Sequence, residues 1–307
     1  MKPLLLIFAF FFSSFNLIAP PVIVFQDLAP MPTARGAISS ATDGKSIYVC
    51  NGFSSTQAAS GLIEKYDISK NEWSVLTEAT IPKQFPSSAI VDDNIYLFNG
   101  DADKKVVNNK VEVINLNSGS ISFTTNNPQP VHAGGVVTWN KKIYAFGGRT
   151  IASPPEYSNK LYEFDPSKKE WKELASMPEK KETKGAVLNG KIYVIGGYNG
   201  KPSNKIDVYD IAADKWNETI KMPDGVSANS VVEFENKIYS FFDYTTQTMV
   251  GCFDPGTNKF TLLKQQNMVP RRHAGAHIIN DKVYIVGGNK NEYQNSCLSS
   301  LQVADMK

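Results

Sequence analysis

The 307-residue sequence has little cysteine, little histidine and almost no net charge. Its three cysteines, Cys50, Cys252 and Cys297, are too few and too far apart for a disulfide-stapled scaffold or a CxxC metal site, and at most one bridge can form. A formal net charge of +2, spread over single and paired basic residues, excludes the positive footprint that neutralises a phosphate backbone, so nucleic acid is not an expected partner. The only histidines are His132, His273 and His277. His273 and His277 share one side of a strand by period-two spacing, and His132 would have to be a metal's third ligand. No Cys or carboxylate arrives at ligand spacing, so neither a metal nor another cofactor is expected. GxSxG elbows, Walker loops and dinucleotide fingerprints are also missing, and "GGYNG" at 196–200 is a turn rather than a phosphate cradle.

Long apolar runs are absent except at the N-terminus, where Met1-Lys2 precedes Leu4 to Phe12 and then the polar Ser13, Ser14 and Asn16. That order predicts an export signal over residues 1–19, cut near Ala19, and a secreted or periplasmic mature chain from residue 20 with no membrane span of its own. Leu4 to Phe25 serving as an uncleaved anchor is the alternative. Asn217-Glu218-Thr219 is a glycosylation acceptor only in a eukaryotic secretory pathway.

What the chain does have is repetition. Six apolar phrases, "IYVCNG", "IYLFNG", "IYAFGG", "IYVIGG", "IYSFFD" and "VYIVGG", carry a strand tyrosine at Tyr48, Tyr96, Tyr144, Tyr193, Tyr239 and Tyr284. Successive copies lie 45 to 49 residues apart, a period that means stacked supersecondary units. Each phrase runs from branched and aromatic strand residues into a turn, usually glycines such as Gly196-Gly197. The fifth copy has Phe242 and Asp243 there, which predicts a turn built differently. Downstream, an aromatic is followed seven residues later by another: Tyr66 and Trp73, Phe164 and Trp171, Tyr209 and Trp216, Phe253 and Phe260, with Ile114 and Ile121 in repeat two. Polar stretches such as "DPSKKE" between them suit hairpin turns.

One unit therefore supplies four short antiparallel strands, and a lone sheet of that size cannot bury both its faces. Radial stacking around an axis covers them, which predicts an all-β, six-bladed propeller. The sixth copy lacks its closing strand, and "VFQDLAPMP" at 24–32 matches "EWKELASMP" at 170–178. The N-terminal strand is thus expected to complete the last blade. A glycine pair after an apolar strand, an aromatic seven residues before Trp, and a period in the high forties resemble kelch repeats. The resemblance covers about residues 22–307 and is weakest in repeats two and five.

In a propeller the loops leading into the innermost strands form the mouth of the central channel. About twelve residues before each strand tyrosine stand Arg35, Gln84, His132, Lys181, Ser227 and Arg272, with Glu182 beside Lys181, and Arg271 and His273 beside Arg272. The set predicts a basic mouth that favours an anionic ligand, Arg gripping a carboxylate in two-pronged fashion. Solvated loop ends with local counter-charges are the alternative. Two function classes fit: an exported binding module for a protein or glycan, such as an acidic peptide or anionic glycan, or a sugar mutarotase. The second resembles N-acetylneuraminate epimerase, an exported kelch propeller acting on a carboxylated sugar, and would use Arg272 with Glu182 or His273. The kelch-bearing enzyme galactose oxidase implies a copper site whose tyrosine, histidine and thioether set has no counterpart in this sequence. Tyr198, Tyr244 and Tyr293, just after the strand phrases, are placed to stack on a sugar or to cap blades.

Overall fold

In a computed structural model of the chain, which describes residues 22–102, 106–107, 109–150, 154, 156–217, 219–291 and 294–307, each phrase forms the second strand of a four-stranded antiparallel sheet. These second strands are Ser46–Cys50, Asn94–Ala102, Lys142–Phe146, Lys191–Tyr198, Lys237–Phe241 and Lys282–Val286. The first strands before them, Ser39–Thr42, Gln84–Val91, Gly135–Trp139, Glu182–Leu188, Ser230–Phe234 and Gly275–Ile279, neighbour one another in a closed ring. The six sheets are the blades of a β-propeller, numbered here along the chain. Six apolar clusters, one at each junction of adjacent blades, cover the faces that a single sheet would expose. The expected export signal over 1–19 lies outside the described residues, as do Glu218 of the glycosylation triplet and Tyr293.

The seven-residue aromatic spacing has a geometric cause. Tyr66 and Trp73, Phe164 and Trp171, and Tyr209 and Trp216 stand directly opposite one another across the hairpin of third and fourth strands, with rings 5.1, 4.7 and 5.1 Å apart. Ile114 pairs with Ile121 and Phe253 with Phe260 in the same way. Trp73 and Trp216 then donate their indole N–H to the carbonyls of Ala29 and Ala175, at 2.8 and 2.7 Å. The outer strand of one blade is thereby fastened to the segment that closes the blade before it.

The N-terminal strand closes blade 6 as the sequence predicts: Gln26 pairs with Val303 and Asp27 with Gln302. A second tie lies just upstream, where Ile23–Val24 run parallel to Gln265–Gln266 beyond the last strand of blade 5. Phe25 is buried in the cluster between blades 5 and 6.

The glycine pair of blade 4 is required sterically. Gly196 and Gly197 have φ of 66° and 116°, and a Cβ would lie 2.2 Å from the Val226 carbonyl oxygen or 2.3 Å from that of Glu182. In blade 5 only half of the expected change in the turn is found. Phe242 keeps the left-handed backbone, with φ of 62°, and is held there by burial against its neighbours between blades 5 and 6. The difference lies at Asp243, whose carboxylate accepts the N–H groups of Ser227, Thr245 and Thr246.

Blade 4 departs elsewhere. In blade 2, Gln84 pairs with Asp101 and Ser87 with Phe98, whereas in blade 4 Glu182 pairs with Tyr198 and Lys184 with Ile195. Blade 4 thus has Thr183 alone where blade 2 has Phe85 and Pro86.

Candidate functional site

Two rings of residues meet at one end of the axis. Gly36, His132, Ser227 and Arg272 lead into the first strands, which Gln84 and Glu182 open in blades 2 and 4, and Phe53, Arg149, Tyr244 and Asn289 lie just beyond the second strands, at whose ends Asp101 and Tyr198 stand in blades 2 and 4. Backbone pairing joins the rings blade by blade: Gly36 with Phe53, Gln84 with Asp101, His132 with Arg149, Glu182 with Tyr198, and Arg272 with Asn289. In blade 5 the Tyr244 N–H donates to the Ser227 carbonyl.

A cavity of about 720 Å³ opens between them, within the size range of small-ligand sites. Its charged wall residues are four cations, Arg149, Lys184, Lys201 and Arg272, against the single carboxylate of Glu182. The mouth is therefore basic, but largely through residues other than those expected.

Of the nine residues anticipated there, Gln84, Glu182, Ser227, Arg272 and His273 line the cavity and His132 lies buried behind Glu182. Arg35, Lys181 and Arg271 do not reach it; each is fully buried within its own blade. Arg35 pairs with Glu64 at 2.8 Å and Lys181 with Asp207 at 2.8 Å, while Lys83, in the same slot of blade 2, holds Glu112 at 2.6 Å. Arg271 meets Ser300 and Gln302 instead of a carboxylate. These residues stand one position before the mouth residue, and one step along an extended chain reverses the side-chain direction. Gly36 pairs with Phe53 as Gln84 does with Asp101, so the mouth position of blade 1 belongs to Gly36, and in the shortened blade 4 it belongs to Glu182. Outside blade 6, the slot and its acid vary together. Blades 3 and 5 carry Val131 and Val226, and opposite the equivalent second-strand residue they carry Tyr162 and Gly251 where Glu64, Glu112 and Asp207 stand.

Arg272 differs from Arg35, Lys83 and Lys181 in lacking a counter-charge. It is 3% exposed, its guanidinium stacks 3.9 Å from the centre of the Tyr244 ring, and its Nε has no partner. Among the described residues no carboxylate pairs with it. Glu182 is engaged elsewhere, its Oε1 accepting from Arg149 Nε and lying 3.1 Å from His132 Nε2. Burial pushes the Glu182 carboxyl up, but the His132 hydrogen bond and the Arg149 charge outweigh it and hold the group below the usual carboxylate range. For His132, burial is outweighed by Asp101 and Glu182, and its pKa is raised. His273 goes the other way: burial first, then the Arg272 charge, push it down to about 4, so the ring is neutral at neutral pH. Phe85, with φ of 50°, reaches across the axis and sets its ring 5.1 Å from those of both His132 and His273.

Arg149, Lys184 and Lys201 are the wall cations that sequence reading missed. Arg149 holds the place of Tyr198 and Tyr244, immediately after the turn, and that position in every repeat was the available signal. The signal for Lys184 was the single-residue shortening of blade 4. Tyr198 and Tyr244 do line the cavity, both exposed. The three histidines do not converge: among the described residues no group of three His, Cys, Asp or Glu stands close enough to hold a metal ion. The three cysteines are free, and no described helix is long and apolar enough to cross a membrane.

Comparison with known proteins agrees with this architecture. A family model described as the KLHDC2/KLHL20/DRC7 Kelch-repeats domain matches residues 38–242, and one described as the Kelch motif matches residues 270–303. The chain is 28% identical to Kelch-like protein 23 of Homo sapiens over 209 residues, covering 66% of this chain and 36% of that protein. It is 31% identical to Kelch repeat and BTB domain-containing protein 12 of Danio rerio over 173 residues, 50% of this chain and 28% of the relative. Beta-scruin of Limulus polyphemus is 24% identical over 268 residues, 79% of this chain and 28% of the relative. The chain thus spans about a third of the length of these relatives.

Proposed function

The chain belongs to the kelch-repeat family of β-propellers, and on that premise we propose that it is a protein-binding module whose channel mouth accepts an acidic segment of its partner. The observation that carries this reading is Arg272, buried at the wall of the mouth cavity, stacked on Tyr244 and without a carboxylate among the described residues. A desolvated guanidinium lacking a counter-charge is costly, and an incoming carboxylate supplies both the charge and a two-pronged acceptor. The excess of wall cations over Glu182 steers anions to the same place. Exposed Tyr198 and Tyr244 add ring faces for the flanking residues. The N-terminal apolar run supports action outside the cytosol, in a secreted or periplasmic setting.

Titration of acidic peptides against their Gln/Asn counterparts tests the proposal. Acidic peptides should bind, more weakly as salt rises, and Arg272→Gln should lower their affinity by about tenfold or more. Equal binding of the neutral peptides would overturn it, and acidic glycans in the same titration report whether sugars compete for the site.

A second reading, a mutarotase for a carboxylated sugar such as N-acetylneuraminate, is supported by one arrangement: an ionised Glu182 and a neutral His273 line the same cavity as Arg272. Its test is the rate at which a pure N-acetylneuraminate anomer equilibrates, followed by proton NMR. A rate unchanged by the protein would dismiss it.

A further inference from the structure

Lys184 lies in the first strand of blade 4, two residues after Glu182, and pairs with Ile195. The corresponding residues of the other blades are Ser39, Ser87, Gly135, Ser230 and Gly275. Five of six positions are therefore serine or glycine, and at the two glycines crowding is the cause: a Cβ on Gly135 would lie 2.2 Å from the Phe146 ring, and one on Gly275 would lie 2.0 Å from Ser40 Oγ. Packing gives no reason for a long cationic side chain at the sixth. The mouth cavity adjoins a second cavity of about 380 Å³ along the channel, and the residues common to both walls are Ile38, Pro86, Lys184 and Ala274. Lys184 is the one charged residue of that throat.

Its Nζ donates to the Gly134 carbonyl at 3.0 Å, which leaves two of three ammonium donors unused, and no described carboxylate stands within ion-pair distance. The surface it exposes faces the channel, so burial brings the amine down to about 8, with only Glu182 opposing. Glu182 itself is committed to Arg149 and His132. Arg272, Lys184 and His273 line the same mouth cavity, and the charges of both cations help to hold His273 down.

We propose that Lys184 forms a second anion-binding subsite at the throat, so that the small molecules preferred by the mouth carry two acidic groups, one held by Arg272 and the other by Lys184. This rests on the reading of the mouth as an anion site. The ligand class is a compact diacid, with the apolar span between its acid groups matched to the distance from rim to throat.

Calorimetric titration of the full chain with straight-chain dicarboxylates from malonate to suberate, beside the matching monocarboxylates, tests it. One chain length should bind about tenfold or more tighter than its monoacid. Lys184→Met should reduce that diacid to the affinity the monoacid has on the same variant, while Lys184→Arg should keep most of the preference. The length series on the unaltered chain stands even if a variant fails to fold. Monoacids that bind through Arg272 with no advantage for any diacid would overturn the throat subsite and spare the mouth. Full diacid affinity in Lys184→Met would do the same. Absence of binding by every acid would overturn the subsite, and acidic-peptide binding would then decide the mouth separately.

Discussion

Lys83 and Glu112 are both buried in blade 2, 2.6 Å apart, at positions that blade 5 fills with Val226 and Gly251. In five of the six blades the cation and its acid are present or absent together, and only blade 6 keeps a cation, Arg271, against a neutral Gln302. Lys83→Met alone leaves the Glu112 carboxylate uncompensated and should cost about 3–5 kcal/mol in urea denaturation, whereas adding Glu112→Leu should recover most of the loss. A single variant as stable as the parent would contradict the pairing. The same co-absence made the slot legible in the sequence, had Val131 with Tyr162 and Val226 with Gly251 been set beside the charged pairs. Counting back from the strand tyrosine without it put Arg35, Lys181 and Arg271 at the mouth, because loop residues one apart in sequence point opposite ways. Gly197→Val should cost more than about 1 kcal/mol, since its φ of 116° excludes a branched side chain. The histidines set a pH dependence with two signs. His273 and His277, both pushed down to about 4 chiefly by burial, stabilise the fold above the unfolded value near 6.5, and that contribution is lost as pH falls towards 4. His132, raised, contributes below the unfolded value and loses its contribution as pH climbs through its folded pKa. Thermal midpoints should drop between pH 6.5 and 4, and His277→Gln should flatten part of that fall; a flat profile in the parent would contradict the burial of the two rings.

At the scale of elements, the strands and hairpins were readable because their signals are local and repeated. An aromatic and a Trp seven residues apart meet across a hairpin in three blades, and the closing strand could be placed by matching 24–32 to 170–178. The parallel pairing of Ile23–Val24 with Gln265–Gln266 left no such trace, since a two-residue parallel contact between distant segments imposes no period. Nor did the turn of blade 5, where tertiary packing holds Phe242 in a backbone state that composition argues against. Removing residues through Asp27 should strip the outer strand from blade 6, empty the site of Phe25 and expose the edge of Leu301–Asp305. The expected result is a lower, broader thermal transition and self-association on size exclusion. A monomer with the parent's midpoint would show that the closure contributes nothing.

Across the whole molecule, a net charge of only +2 conceals a polarised arrangement. Carboxylates answer the cations of blades 1, 2 and 4 inside the sheets, while around the mouth four wall cations face one carboxylate. The basic character of the mouth was legible from the residues leading into the first strands, and Arg272 survives from that reading. Arg149 and Lys184 were not, because they depend on which residues the turns and the shortened blade 4 deliver to the axis. The measurement that bears most directly on the mouth as an anion site is the thermal midpoint of the chain and of Arg272→Gln, each with and without an acidic ligand. Near a hundred times its dissociation constant the ligand should add roughly 2.7 kcal/mol to the parent and nothing to the variant. An equal rise in both proteins would place the anion elsewhere and contradict the assignment.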